Sequence, residues 1–363
     1  MDTQRKLRAG ILGATGMVGQ RLITLLDGHP YFEISLLAAS PSSAGKPYGQ
    51  AVEGRWKLKE AMPERVRDRI VADATRPDDV CPHVDFVFCA ISLSKEETRA
   101  LEEEYAKREI PVVSNNSAHR WTPDVPMLIP EINADHMDVI PFQRKRLGTE
   151  KGFIAVKPNC SIQSFVPALT PLRRFGIRDI SVTTLQAISG AGKTFEQFPE
   201  ILDNVIPLIP GEEEKTEKEP LKIWGTVDGG RILPADGIRI SSTCTRVPVL
   251  DGHMATVSVR FEQKPAWEEI LDAWASYRGG LCAFDPPLPS APDPFVIYKE
   301  EENRPQSGLD RGAGNGMAIT IGRLREDPIF DYKFVCLSHN TLRGAAGGGV
   351  LSAELLYRNG YLY

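Results

Sequence analysis

Leu7 to Leu12 is an apolar run that stops at Gly13-Ala14-Thr15-Gly16-Met17-Val18-Gly19. Apolar positions then recur at helical spacing from Gln20 to Leu26, and Glu33 to Ala39 reads as a second strand. Strand, turn, helix and strand within about thirty residues is the unit that builds a parallel sheet. Val84 to Ala90 is a buried-type strand, Lys95 to Arg108 a charged helix with Ala and Leu at helical spacing, and Ile110 to Ser114 a further strand. Residues 1–155 are thus expected to form a Rossmann-type doubly wound α/β domain. The texture then changes. Ile180 to Ile188 and Ile238 to Val247 alternate, and Met254 to Phe261 and Met317 to Arg323 also read as strands with few helices between them. Residues 156–339 are expected to be an α+β domain with a mixed, largely antiparallel sheet, one face free for a helix layer or a second subunit. The tail from Asn340 to Tyr363 opens on "NTLRGAAGGG" and continues as an apolar helix.

Composition narrows the function. The chain has 363 residues, 42% hydrophobic and 25% charged, enough for two ordinary cores. A formal net charge of -5 argues against nucleic-acid binding, which needs a basic footprint. The one short basic run, Arg144 to Arg146, reads as a solvated loop between Pro141 and Gly148. The N-terminal stretch Asp2 to Arg8 is charged, and no segment approaches the ~20 apolar residues of a membrane span. A cytoplasmic protein with no membrane partner is expected. The 6 cysteines and 6 histidines are scattered without paired spacing, so no metal site is predicted and the thiols are expected to be reduced.

Gly13, Gly16 and Gly19 follow a strand and open a helix, as a dinucleotide loop requires. NAD sites usually carry a carboxylate at the end of the second strand. Here the chain reads Ala38-Ala39-Ser40-Pro41-Ser42-Ser43-Ala44-Gly45-Lys46, with hydroxyls and a lysine that suit a 2′-phosphate, so NADP(H) is favoured. Gly190-Ala191-Gly192-Lys193-Thr194 looks like half a phosphate loop, but position 187 is Ala where such a loop needs glycine. Its glycines are read instead as giving room for a flat ring or for the other domain.

Cys160, in "AVKPNCSIQS", stands after a Lys-Pro-Asn turn, and Ser161 to Leu172 reads as a helix. A sulfur at a helix N-terminus is expected to have a lowered pKa, and the same N–H groups could hold an oxyanion. Arg246 and His253 flank a turn between two strand-like runs and are expected to face each other across a hairpin. Arg suits a carboxylate and His a proton transfer. Combined, these parts suggest a thiolate that captures an aldehyde, passes hydride to NADP and leaves a thioester, or the reverse.

Several segments resemble aspartate-β-semialdehyde dehydrogenase of the archaeal and fungal branch, almost end to end: "GATGMVG", "PSSAGK", "NNSAHRWTPDVPMLIPEIN", "KPNCS", "LQAISGAGK", "RVPVLDGH" and "NTLRGAAGGGVLSAELL". The resemblance implies Cys160 as acyl carrier, Gln186 as substrate-orienting, Arg246 on the substrate carboxylate and His253 as acid/base. It implies Asn116 and Arg120 at the phosphate, and Glu219 with Lys222 at the amino group and phosphate. The cofactor would lie along Gly13, Thr15, Gly16, Met17 and Val18, by Ser40, Ser43 and Ser92, and against Gly192, Asn340 and Thr341. Helix 340–363 would complete the NADP-binding domain 1–155, with 156–339 catalytic and dimerising. From the residues alone, the charge run Gly211 to Lys222 reads as a solvated face, with Pro220 in the first turn of a helix.

The implied reaction interconverts L-aspartate 4-semialdehyde, phosphate and NADP+ with 4-aspartyl phosphate and NADPH, on the route to lysine, threonine, methionine and isoleucine. The implied assembly is a homodimer or homotetramer. Malonyl-CoA reductase and N-acetyl-glutamyl-phosphate reductase are the alternatives on the same scaffold, and a non-catalytic NADP binder is the alternative of another class.

Overall fold

The computed structural model describes residues 5–363; Met1 to Gln4, the front of the charged N-terminal stretch, lie outside the described residues. The first apolar runs form strands β1 (Leu7–Leu12), β2 (Phe32–Ala39), β3 (Ala72–Asp73), β4 (Phe86–Cys89), β5 (Val112–Ser114) and β6 (Ile154–Val156). They pair in the order β3-β2-β1-β4-β5-β6, all parallel. This is the doubly wound order, with its switch point between β1 and β4. A ligand cleft belongs outside the carboxyl ends of those strands. The helix Met17–Leu25 follows β1, and the closing helix Gly347–Arg358 packs beside it and β5. That helix buries Val350, Leu351, Leu355 and Leu356 in one core with Ile11, Leu22 and Phe88.

After a two-stranded ribbon, β8 (Thr226–Asp228) and β9 (Arg231–Leu233), the remaining strands join β7 (Ile177–Gln186) in a second sheet. They are β10 (Arg239–Arg246), β11 (His253–Phe261), β12 (Val296–Lys299), β13 (Ile319–Glu326) and β14 (Tyr332–Ser338), in the order β10-β7-β11-β14-β13-β12. β10 runs parallel to β7 and β12 to β13; the other pairs are antiparallel.

Three local expectations change. Arg246 and His253 are not hairpin partners, because β7 lies between β10 and β11. Ser161 to Leu172 is no regular helix. It breaks into turns at Ser161–Gln163, Val166–Leu169 and Thr170–Phe175, where Pro167 and Pro171 each lack an N–H donor. Arg144 to Arg146 ends a helix, Ile140–Leu147; Arg144 lies over Phe153 and Arg146 pairs with Asp124 at 2.6 Å.

Candidate active site

Strand ends gather the site. In the first sheet, Gly13 follows β1, Ala90 follows β4, Asn115 follows β5 and the Lys157–Cys160 turn follows β6. In the second, the register sets Arg246 opposite Gln186 and His253 opposite Ser338, so three strand ends and the start of β11 share one rim. The two rims enclose a cleft of about 340 Å³ lined by Gly16, Met17, Val18, Asn115, Arg120, Cys160, Gln186, Gly192, Glu212, Arg246, Asn340 and Thr341.

On one side lies the glycine loop. Gly13 has φ +88, and a Cβ there would stand 2.4 Å from the Ala90 carbonyl oxygen. A Cβ on Gly19 would stand 2.3 Å from the Gly13 oxygen. The loop therefore needs both glycines, and it opens the helix Met17–Leu25 with Gly16 as its cap. A free helix end and close backbone approach fit a pyrophosphate. Beyond β2 no carboxylate stands ready; Ser40 and Ser42 are exposed and hydrogen-bonded at 3.0 Å, and Lys46 donates to the Ser42 carbonyl. Ser43 is turned inward and buried, so Ser42 takes the open position expected of Ser43. Ser92 is exposed beyond β4.

On the other side sits the thiol. Cys160 is half-buried, with its Sγ 3.5 Å from His253 Nε2. The Ala187 N–H donates to His253 Nδ1 at 3.0 Å, so the neutral ring carries its proton on Nε2, facing the sulfur. Burial holds this imidazole well below its usual pKa, with the charges of Arg246, His339 and Lys157 acting the same way. The thiol itself departs from expectation. Burial pushes its pKa up and the Glu212 carboxylate adds to that, while Lys157, Arg120 and Arg246 pull it down without overcoming it. No long helix lends its dipole, and the Ser161 N–H that would face an oxyanion is taken by Asn159 Oδ1 at 2.7 Å. His253 Nε2–H is the donor on the sulfur, and the Gln186 amide in the same cleft has only long contacts, to Thr184 and Glu212 at 3.3 and 3.4 Å.

Gly190 explains how Arg246 and His253 still meet. A Cβ there would lie 2.9 Å from Arg246 Nη1 and 2.9 Å from His253 Cε1 and Nε2. Arg246 Nη1 also donates to the Ala187 carbonyl at 2.8 Å. The half phosphate loop is thus a seat for two side chains. Asn340 bridges the same turn to the start of β11, donating to Ser189 Oγ and accepting the Gly252 N–H, each at 2.8 Å.

The charged positions sort differently from the sequence reading. Asn116 points away from the cleft, to Glu102 at 3.1 Å and Cys89 Sγ. Its neighbour Asn115 lines the cleft, and its buried amide has no hydrogen bond among the described residues. Arg120 lines the floor, paired with Glu219 at 2.8 Å. Glu219 uses its other oxygen on the Asn159 N–H at 2.6 Å, so it is occupied. Lys222 does not reach the cleft; its ammonium donates to the carbonyls of Arg120, Thr122 and Val125, and burial lowers its pKa to about 8.

The charge run is a helix, Glu212–Ile223, with Pro220 inside it near the C-terminal end, and one face of it is buried. The carboxylate it presents to the cleft is Glu212, held by Asn159 Nδ2 at 3.0 Å and Lys215 at 2.8 Å. The sequence reading did not single out Glu212 and Asn115, which line the cleft, nor Lys215, which pairs with Glu212, nor Lys157, whose charge acts on the thiol. Burial lowers the Lys157 pKa to about 7. Among the described residues no three His, Cys, Asp or Glu side chains group as a metal site would need, all six cysteines are free, and no helix is long and apolar enough to cross a membrane.

Residues 8–140 match the family described as "Semialdehyde dehydrogenase, NAD binding domain", and residues 169–343 the one described as "Semialdehyde dehydrogenase, dimerisation domain". Cys160 lies between the two matched segments. An aspartate-semialdehyde dehydrogenase of Archaeoglobus fulgidus is 43% identical over 96% of this chain and 97% of its own length. One of Aspergillus fumigatus is 41% identical over 100% of both. The crystal structure of aspartate semialdehyde dehydrogenase with NADP from Candida albicans superposes with a TM-score of 0.87 at 38% identity, covering 98% of this chain and 100% of that one. Likeness of this extent runs through both sheets and every strand end that builds the cleft: the chain belongs to the aspartate-semialdehyde dehydrogenase family.

Proposed function

We propose that the protein interconverts L-aspartate 4-semialdehyde, phosphate and NADP+ with 4-aspartyl phosphate and NADPH through a thioester on Cys160. The observation that carries this reading is the 3.5 Å contact of Cys160 Sγ with His253 Nε2, in a cleft whose opposite wall is the glycine loop. Gly13, Thr15 and Gly16 to Val18 would hold the pyrophosphate, Ser40, Ser42 and Lys46 the 2′-phosphate, and Gly192, Asn340 and Thr341 the nicotinamide end. When bound there, the nicotinamide would supply or accept a hydride.

The protein's own part follows from its geometry. In the biosynthetic direction the ionised fraction of Cys160, its proton lost to solvent, attacks the acyl carbon, the carbon–oxygen bond to phosphate breaks, and inorganic phosphate leaves. After reduction, the oxyanion on that carbon is held by a hydrogen bond from the His253 Nε2–H. Its collapse re-forms the carbonyl, breaks the carbon–sulfur bond, and frees the aldehyde and the Cys160 thiolate. The ring's resting tautomer, a donor toward the sulfur, suits that role. Arg246 takes the substrate α-carboxylate. Glu212, rather than Glu219, takes the ammonium group, because Glu212 lines the cleft while Glu219 is spent beneath it on Arg120 and the Asn159 N–H. Arg120 and Lys215 draw in the phosphate.

Residues 1–155 with 340–363 act as the NADP-binding unit, and 156–339 as the catalytic and pairing unit. The half-open face of the second sheet, with Ser181, Thr183, Thr243 and Thr256, is where a second copy would pack in a homodimer or homotetramer. The protein would work in the cytoplasm, supplying lysine, threonine, methionine and isoleucine synthesis.

The test is steady-state NADPH oxidation with 4-aspartyl phosphate and, separately, malonyl-CoA, on wild type, Cys160→Ala and Cys160→Ser. Turnover with aspartyl phosphate alone, lost in both variants, and an acyl adduct mapped to Cys160 by peptide mass spectrometry would support the reading. Robust turnover with malonyl-CoA and none with aspartyl phosphate would overturn the substrate. Variants within a few-fold of wild type would overturn the thioester.

A further inference from the structure

Residues 55–57 take no part in the reaction so far, yet they are gripped from two sides. Gln20, one turn into the helix that the glycine loop opens, is fully buried. Its amide donates to the carbonyl of Thr15 at 3.0 Å, within the loop, and to the carbonyl of Arg55 at 2.9 Å. Its oxygen accepts the backbone N–H of Lys57 at 2.8 Å. The Lys57 side chain then crosses to the substrate domain, where its ammonium donates to the carbonyl of Gly192.

Gly192 closes the turn on which the reactive side chains rest. Ala187, at the start of that turn, orients His253 through its N–H, and Ser189 accepts the Asn340 amide. Gly190, in the middle, carries Arg246 and His253 at contact distance. The Gly192 end stands in open space: φ is +68, and no heavy atom beyond its chain neighbours lies within 4 Å of where a Cβ would be. The turn's start is tied by the Ile188 and Ser189 N–H groups to the carbonyls of Val249 and Leu250, and the Gly192 N–H closes it on Ser189, which leaves the Gly192 carbonyl to Lys57. A charged donor on that carbonyl makes a hydrogen bond roughly twice as strong as a neutral one.

We propose that Lys57 is a positioning residue for the reaction: anchored by Gln20 to the glycine loop, it holds the Ala187–Gly192 turn, and through that turn His253, in register with the dinucleotide. The inference rests on the reading of the cleft as the seat of dinucleotide and acyl group. The same turn is thereby fastened twice to the NADP-binding unit, by Asn340 on one side and Lys57 on the other. A dinucleotide that orders the glycine loop would, through Gln20 and Lys57, also order the groups that act on the acyl carbon.

The test compares wild type with Lys57→Met and Lys57→Arg in the full-length protein. Three quantities are read: the NADPH dissociation constant by fluorescence, kcat and KM with aspartate semialdehyde, and the rate of Cys160 alkylation by iodoacetamide at pH 8, resolved from the other cysteines by peptide mass spectrometry. Loss of one charge-assisted hydrogen bond should lower kcat of Lys57→Met about tenfold, with the NADPH constant within about threefold. Its Cys160 alkylation should slow at least about threefold, because His253 Nε2–H no longer sits on the sulfur. Lys57→Arg should restore both rates. Alkylation and kcat of Lys57→Met equal to wild type would overturn the proposal. So would Lys57→Arg as slow as Lys57→Met, since bulk and not the donor would then be at issue. A wild-type protein that fails to turn over aspartate semialdehyde defeats the functional reading alone; the alkylation comparison still decides this one.

Discussion

The chain bends at two glycine-rich turns, and the missing side chains serve different ends. In the loop Gly13–Gly19 glycine makes room for backbone: Gly13 lies against the Ala90 carbonyl and Gly19 against that of Gly13. In the turn Ala187–Gly192 it makes room for side chains, because Gly190 carries Arg246 and His253. A carbonyl fixed by a strand end cannot retreat from a methyl group, whereas a guanidinium or an imidazole can turn aside. The first turn is therefore a rigid receptor for a ligand's backbone-like phosphates. The second is a seat whose shape sets where reactive groups point. Glycine spacing alone makes the two look like variants of one motif.

The sharpest way to break this comparison is Gly19→Ala. Its Cβ would fall 2.3 Å from the Gly13 oxygen and 2.7 Å from Ala14 Cα, so the loop itself must open. Overpacking against backbone should cost about 3 kcal/mol, and NADPH affinity should fall about 100-fold. Fluorescence titration and urea denaturation measure the two. Affinity within threefold of wild type would mean that the loop tolerates what the geometry forbids. Gly190→Ala is the counterpart in the second turn. Displacing His253 and Arg246 by a few tenths of an ångström should lower kcat/KM about 30-fold while NADPH binding stays within threefold. If NADPH binding fell as far as turnover, the two turns would not divide the labour as described.

Titration separates the turns as well. No acid or base stands within the glycine loop, so NADPH binding should be flat between pH 7 and 9. The thiol across the cleft is held above its ordinary pKa by burial and by Glu212, against the pull of Lys157, Arg120 and Arg246. A thiol with a raised pKa ionises only as pH climbs. Lys157, itself held at about 7, loses its charge over the same range and lifts the thiol further. Alkylation of Cys160 without ligand should therefore rise at least about tenfold from pH 7 to pH 9 and show no plateau. A plateau below pH 8 would mean that the sulfur is already ionised at rest.

What the sequence disclosed, and what it hid, follows from the same geometry. The parallel sheet was legible because buried strands leave continuous apolar runs such as "VDFVFCA", while β3, two residues long, leaves no pattern at all. Cys160 was legible because a Pro-Asn turn after a strand marks a strand end, where clefts form. Its electrostatics were not, because Pro167 and Pro171 break the helix that would have lent a dipole, and burial then dominates. Arg246 and His253 were found as a pair but joined by the wrong route. Two strands that straddle a third look in sequence like two arms of a hairpin. Asn116 came from the resemblance alone; neighbours at a strand end point to opposite sides, and Asn115 is the one that lines the cleft. Glu219 with Lys222 and Glu212 with Lys215 have the same three-residue spacing on one helix. Only packing tells which turn of that helix meets the cleft.

The smallest effect is the most discriminating. Gly192→Ala adds a methyl where nothing lies within 4 Å, so no neighbour is displaced. The cost is conformational alone: φ is +68, a region that an L-residue enters at about 1–2 kcal/mol. The Gly192 carbonyl that accepts from Lys57 is unchanged by the methyl. Unfolding stability, measured by urea denaturation, should drop by about 1 kcal/mol, with kcat at saturating NADPH within about threefold of wild type, while the NADPH constant reads the contact of the methyl with the nicotinamide end. A large loss of kcat at unchanged stability would mean that the turn relaxed out of the left-handed conformation and carried its carbonyl away from Lys57. Gly190 and Gly192 would then be parts of one rigid unit, and the seat would be as intolerant of change as the glycine loop. A small loss instead keeps the distinction: space is needed under the side chains at Gly190, and only a bend at Gly192.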